Sequence, residues 1–142
     1  MSQLSIQLAH GKRVYAPGET LQGQVRWHFE RPPDSIELVV FWHTEGRALS
    51  DSGVSSRVHW QQPGQRGERP FSFSLPEGPH TFRGKLISLS WAVEAIQRPG
   101  KQHAQVSFVL SPTGAELVLP ELEPDGAPGG GPVGFRPSAS RR

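Results

Sequence analysis

The stretch Pro70–Ile96, PFSFSLPEGPHTFRGKLISLSWAVEAI, shows most clearly the alternation of apolar and polar residues that predicts the fold of the whole chain. In Phe71–Leu75 large apolar residues alternate with serines, and Pro76 ends the alternation. After a turn rich in proline and glycine, the alternation returns over Ile87–Ala95. A period of two residues is typical of a strand with one buried face and one solvated face. The stretch therefore predicts a short strand, a turn and a long strand.

The same alternation recurs along the chain, at Leu4–Leu8, Leu21–Phe29, Ile36–Trp42, Val58–Trp60 and Ala104–Leu110. Strands at this spacing predict an all-β fold, an antiparallel, immunoglobulin-like β-sandwich of about seven or eight strands. Ala48–Ser56 is interpreted as a mobile connection and Gln61–Arg69 as a turn, because both are polar. We expect the sandwich to occupy residues 1–110, with an edge strand or extension over 111–123. Residues 124–142 are rich in glycine and proline and are expected to form a flexible tail.

Two segments carry a resemblance to a known family. The series F-S-F-S-L-P, followed by Gly-Pro, F-R-G and L-I-S-L-S-W-A-V-E-A-I, resembles the second half of the arrestin amino-terminal domain. Upstream, Val14–Val25 reads VYAPGETLQGQV and is similar to the Y-x-P-G-E-x-(V/L)-x-G-x-V signature of the same domain. Within it, Pro17 and Gly18 have the order required by a type II turn. The resemblance implies a single-domain member of the superfamily of arrestins, alpha-arrestins and sporulation control proteins.

The resemblance has limits that bear on function. Receptor-binding arrestins carry a phosphate-sensing lysine pair on the first strand, which this chain lacks, so binding of phosphorylated receptors is not implied. The P-P-x-Y motif of ubiquitin-adaptor arrestins is also absent. Leu119–Glu123, LPELE, resembles the clathrin-binding motif of some arrestin tails, although Pro120 stands where a bulky apolar residue belongs.

Composition and charge narrow the classes of function. The chain of 142 residues has no cysteine, which excludes disulfides, thiolate metal sites and cysteine nucleophiles. Its net charge of +2 comes from basic residues dispersed over predicted loops, which does not favour nucleic-acid binding. The first residues show no secretion signal and no segment is apolar enough to span a membrane. We therefore expect a cytoplasmic protein, and leave open a peripheral contact with a membrane.

Tryptophans and histidines suggest an alternative function. Trp27, Trp42, Trp60 and Trp91 all fall on the inward phase of predicted strands, which indicates a core role rather than a sugar-binding platform. His28, His43 and His59 each adjoin one of these tryptophans and are expected to point outward. If neighbouring strands brought the imidazoles together, they would form a surface metal site, but no acidic or cysteine ligand stands at suitable spacing.

No sequence motif points to catalysis. The chain has no nucleophile motif, phosphate-binding loop or H-x-x-x-H, so we predict no catalytic residue, no cofactor and no metal site. The leading hypothesis is a non-enzymatic scaffold or adaptor that binds another protein or itself. The alternative is a small sandwich that binds a ligand or metal.

The predicted site of interaction is the edge of the first strand. That strand has neither charge nor proline, and its outward residues Ser5 and Gln7 are the candidate interaction residues. Glu116–Leu119 is the other candidate edge, but it is short and is followed by Pro120. The first strand is therefore the less protected of the two.

Overall fold

The computed structural model describes residues 2–46, 50–84, 86–100, 102–113 and, for the backbone only, 117–118. Within these ranges the protein consists of ten β-strands and one 3₁₀ turn. Seven strands have six or more residues, and three have two. The LPELE segment and the predicted tail lie outside the described residues. The prediction of an all-β sandwich is confirmed.

The smaller sheet has three strands, all antiparallel, in the order β1-β3-β6. They are β1 (Gln3–Leu8), β3 (Thr20–His28) and β6 (Arg66–Ser74). A 3₁₀ turn, Ala9–Gly11, follows β1 and leads the chain to β2 (Val14–Tyr15) in the other sheet. Strand β1 therefore forms one edge of the smaller sheet and β6 the other.

The larger sheet is built around β4 (Ser35–Gly46) and β8 (Ile87–Arg98), which pair along their whole length. Strand β5 (Ser52–Gln61) pairs with the other side of β4 and forms an edge. The far side of β8 is shared by β7 (Phe82–Arg83) and β9 (His103–Leu110). Two short strands pair in parallel beyond these: β2 with β9, and β10 (Leu117–Val118) with β7.

The core lies between the two sheets and is filled by the inward rows that the alternation predicts. Trp91 is fully buried, its ring centroid lies 5.9 Å from that of Phe108, and its Nε1 donates to the carbonyl of Pro79 at 2.6 Å. Trp27 and Trp60 are also buried, and Trp42 packs against the same cluster. All four tryptophans thus face the core, as predicted.

The two segments that carry the family resemblance are in direct contact. The Ala16–Glu19 turn closes with a hydrogen bond from Glu19 N to Ala16 O at 3.0 Å, and Gly18 adopts φ +81, as a type II turn requires. Gly18 N donates to Leu75 O at 3.1 Å, and Leu75 N donates to Glu19 O at 2.9 Å. The turn is therefore bonded to the residue that follows β6.

Two predicted connections are wrong in part. Ser52–Ser56, assigned to a mobile connection, belongs to β5, and Arg66–Arg69, assigned to a turn, belongs to β6. Ser52–Ser56 lacks an alternating pattern, and β5 contains an irregularity there, opposite Val40 and Phe41. Arg66–Arg69 lacks the pattern because the start of β6 is polar. Pairing with β4 and with β3 makes these segments strands.

Candidate interaction edge

Strand β1 is an edge strand with an uncharged outer face. Among the described residues it pairs only with β3, in a register that places Ser5 opposite Arg26 and Gln7 opposite Gln24. The side chains of Ser5 and Gln7 are exposed on the outer face of the sheet. Leu4 and Ile6 face the core but are only partly buried. The structure therefore places both predicted interaction residues on an edge strand.

Two other edges of the described sheets, β6 and β5, carry features that hinder pairing with a further strand. In β6, Pro70 has no backbone N–H, and Arg66, Glu68 and Arg69 add charge. In β5, the register shifts opposite Val40 and Phe41, and irregularities of this kind bend an edge away from a new partner. Strand β9 has a further edge, which β2 covers only at Val109 and Leu110 and where Arg13 Nε donates to the Ser107 carbonyl at 2.8 Å. Strand β1 has none of the features of β5 and β6, and is less protected than either.

The second edge predicted from the sequence is only partly described. Leu117 and Val118 form β10, which pairs in parallel with Phe82 and Arg83 of β7. Glu116 and Leu119, the ends of that predicted strand, lie outside the described residues. With two described residues, β10 offers far less backbone than β1.

A shallow groove of about 580 Å³ runs over the outer face of the smaller sheet beside β1. Its polar lining is mostly amide and hydroxyl: Gln7, Gln22, Gln24, Ser72 and the imidazole of His10. Gly23 lies in its floor, with the Phe71 ring beneath. Because the groove has no carboxylate, lysine or arginine in its lining, it offers hydrogen bonds to a neutral polar partner.

The outer face of the larger sheet contains a charged cluster that the sequence analysis missed. Glu37 is 5% exposed, although it lies on the outward phase of β4. Its Oε1 accepts from Arg98 Nη2 at 2.9 Å, and its Oε2 lies 3.1 Å from Arg57 Nε and 3.5 Å from His59 Nε2. In the sequence, the only sign of this cluster is that Glu37 is the single acidic residue in the otherwise apolar run Ile36–Trp42.

The cluster fixes the protonation state of its carboxylate. The hydrogen bond from Arg98 lowers the pKa of Glu37 from its ordinary value, burial opposes that change, and the charge of Arg57 adds to the lowering. Glu37 is therefore held as a carboxylate, and it links β4 to β5 and to β8. We interpret the cluster as a structural bond across three strands rather than as a catalytic group.

The three histidines considered as metal ligands do not converge. His28 lies on β3 in the smaller sheet, whereas His43 and His59 lie in the larger sheet. His59 is opposite Glu37, six positions from His43 along β4, which is about 20 Å at the rise of a strand. Within the described ranges, no three His, Cys, Asp or Glu residues are grouped as metal ligands would be.

The described part of the chain also contains no helix of the length and apolarity needed to cross a membrane. No protein-family model and no curated protein matches the chain.

Solved structures do match the fold. The crystal structure of Spo0M, the sporulation control protein of Bacillus subtilis, is similar with a TM-score of 0.57 and 18% identity, over 77% of this chain and 49% of that one. The crystal structure of squid arrestin is similar with a TM-score of 0.52 and 15% identity, over 85% of this chain and 51% of that one. The chain spans about half the length of each, and identity this low is informative about fold alone. The protein is an arrestin-like β-sandwich.

Proposed function

We propose that this chain is a non-enzymatic scaffold or adaptor domain of the cytoplasm, which binds a protein through the exposed edge of β1. The observation that carries the proposal is a six-residue edge strand, in an arrestin-like sandwich, with no charge, proline or irregularity. An open edge presents unpaired backbone N–H and C=O groups, and an extended segment of another protein can satisfy them.

The surroundings of the edge support the same proposal. Strand β9 of the other sheet comes within 8 Å of β1, measured between Cα atoms, but no strand pairing between them is found among the described residues. Ser5 and Gln7 add hydrogen-bonding groups beside the edge without a charge that would demand a particular partner. The absence of cysteine suits a reducing compartment.

The test introduces charge on the edge strand. The double substitution Ser5→Lys and Gln7→Lys leaves Leu4 and Ile6 facing the core while lysines hinder strand addition. We expect a protein that co-purifies with the wild-type chain to be lost from this variant. Circular dichroism and the thermal midpoint establish that the variant is folded.

A matched control separates the edge from the face of the sheet. Gln22→Lys with Gln24→Lys adds the same two charges to the same outer face, but on the central strand β3. A partner bound at the edge should be retained by this control. If both folded variants retain the bound protein equally, the proposal is contradicted. If both lose it equally, the interface lies on the outer face of the sheet rather than at its edge.

A further inference from the structure

Strand β1 has a sequence that is symmetric about Ser5. Gln3-Leu4-Ser5-Ile6-Gln7 has an amide at each end, a β- or γ-branched aliphatic residue on each side of the centre, and a hydroxyl in the middle. Gln3, Ser5 and Gln7 are exposed on the outer face, and Leu4 and Ile6 face the core. Reading the strand in the opposite direction therefore gives the same sequence of side-chain types on the same faces.

This symmetry matches the geometry of an antiparallel pair of identical strands. When two such strands pair about a two-fold axis, residues directly opposite each other lie on the same face of the sheet. An axis at Ser5 puts the two Ser5 side chains opposite each other and puts Gln3 of each copy opposite Gln7 of the other. It also puts Leu4 of each copy opposite Ile6 of the other, on the core side.

We propose that the occupant of the β1 edge is β1 of a second copy of this chain, antiparallel and centred on Ser5. The two smaller sheets then form one sheet of six strands, β6-β3-β1-β1-β3-β6. The inference rests on the proposed function, because it takes the same edge as the interface. It goes further by naming the partner and the register.

Three features of the strand favour a second copy as the occupant. No charged residue lies on β1, so self-pairing about Ser5 places no like charges opposite each other. The partly buried Leu4 and Ile6 gain apolar neighbours of matching size. The amides of Gln3 and Gln7 each have donors and an acceptor, so they can hydrogen-bond with each other across the axis. The groove beside Gln7 is likewise uncharged, and the Arg26 side chain opposite Ser5 is paired with Glu68.

Two other long edges, those of β6 and β5, do not allow the same pairing. Self-pairing of β6 would bring Pro70, which lacks an N–H, into the ladder, together with three charged residues. Self-pairing of β5 would meet the irregularity opposite Val40 and Phe41 in both copies. Of the edges of β1, β5 and β6, that of β1 therefore fits itself best.

Cysteine cross-linking tests the register, since the chain has no cysteine of its own. Ser5→Cys places one thiol on each side of the axis, where opposite Cα atoms are about 4.5–5.5 Å apart and a disulfide can form. Under mild oxidation we expect most of the chain to run as a covalent dimer that reductant reverses. Ser72→Cys is the matched control, an exposed serine on the outer face of β6, and should form no covalent dimer.

Cross-linking of both cysteine variants at equal rates would indicate random collision and overturn the proposal. A wild-type dimer in which Ser5→Cys does not cross-link would overturn the register, and with it this inference.

Introducing opposite charges at Ser5 in two separate variants tests self-pairing, because a misfolded variant would not regain association when the two are mixed. Ser5→Lys and Ser5→Glu each place like charges opposite each other, and we expect each variant alone to self-associate about tenfold more weakly than wild type in sedimentation equilibrium. Mixing the two variants should restore association, because lysine then meets glutamate. Failure of the mixture to associate better than either variant alone would contradict the proposal.

The outcomes distinguish this inference from the proposed function. A wild-type chain that is monomeric at about 0.1 mM, well above the Kd of a micromolar dimer, would exclude the second copy as the occupant. The edge would then remain available to another protein, as tested by Ser5→Lys with Gln7→Lys. Conversely, a Ser5-centred dimer whose lysine variants keep their bound protein would support this inference and exclude the edge as the adaptor site.

Discussion

Individual side chains in this protein act through contacts between sequence positions that are far apart. Trp91 on β8 touches Phe108 on β9 and donates to Pro79 in the segment before β7. Glu37 on β4 joins Arg57 on β5 and Arg98 at the end of β8. Each of these residues links three segments, so each should have a large effect on stability for its size.

Trp91→Ala should lower the free energy of unfolding by about 3–5 kcal/mol, because the substitution removes a fully buried aromatic and leaves a cavity. A domain of this size has a total stability of about 5–15 kcal/mol, so much of the population should be unfolded or easily unfolded. Chemical denaturation measures the change. Val54→Ala, at a side chain that is 54% exposed, is the control and should have little effect. A Trp91→Ala protein as stable as wild type would contradict the core assignment.

Glu37→Gln should destabilise the protein by about 1–3 kcal/mol at neutral pH, since it leaves Arg57 and Arg98 without their carboxylate. The effect should depend on pH. The pKa of Glu37 is lower in the folded state than in the unfolded chain. The stability that this difference contributes is therefore fully present above the ordinary carboxyl pKa of about 4.3, and it is lost as the pH falls through the lowered value.

Thermal midpoints of wild type and Glu37→Gln at pH 7 and below pH 4 measure this effect, and the gap between the two proteins should narrow in acid. Glu94→Gln is a control on the same face, because Glu94 is paired only with His103 among the described residues. A gap that stayed constant with pH would show that the charge of Glu37 is not its source.

At the scale of elements, the three strands of the smaller sheet are held close together at one glycine. A Cβ at Gly23 on β3 would lie 2.5 Å from the backbone oxygen of Gln7 on β1 and 2.7 Å from Cζ of Phe71 on β6. Both distances are shorter than side chains tolerate, and one of the two atoms belongs to the backbone. The packing of β1 and β6 on β3 therefore requires glycine at this position.

Gly23→Ala should accordingly lower the free energy of unfolding by about 1–3 kcal/mol, the usual cost of overpacking a tight site. Gln22→Ala, next to it on the solvated face, should change stability little. Thermal unfolding of the two variants side by side is the measurement. If Gly23→Ala were as stable as Gln22→Ala, the close approach of β1 to β3 would be wrong.

At the scale of the whole molecule, residues 125–142 have a composition unlike that of the sandwich. The segment DGAPGGGPVGFRPSASRR has few large apolar groups, and little apolar surface is available there to offset the entropy lost on ordering. Deletion of Asp125–Arg142 should leave the thermal midpoint nearly unchanged. A large drop in the midpoint would show that the segment contributes to the core.

The sandwich could be predicted from the sequence because alternation is a local signal. A strand with one buried face repeats every two residues whatever its partner is, so the inward rows, the four core tryptophans and the turn at Pro17 and Gly18 are encoded within a few residues. The lack of charge on β1 is equally a property of six consecutive residues. The alternation correctly indicated the β-sandwich, and the resemblance to the arrestin amino-terminal domain correctly indicated an arrestin-like fold.

Pairing between distant segments was decided only in the tertiary structure. Arg66–Arg69 has no alternation and becomes a strand because β3 offers it a partner, with Arg26 bonded to Glu68. The carboxylate of Glu37 meets two arginines 20 and 61 positions away, as no spacing rule predicts. His28 is separated from His43 and His59 because β3 and β4 enter different sheets. Local periodicity determines which face of a strand is buried, whereas the free energy of the whole packed sandwich determines which strands are neighbours and which edges stay open.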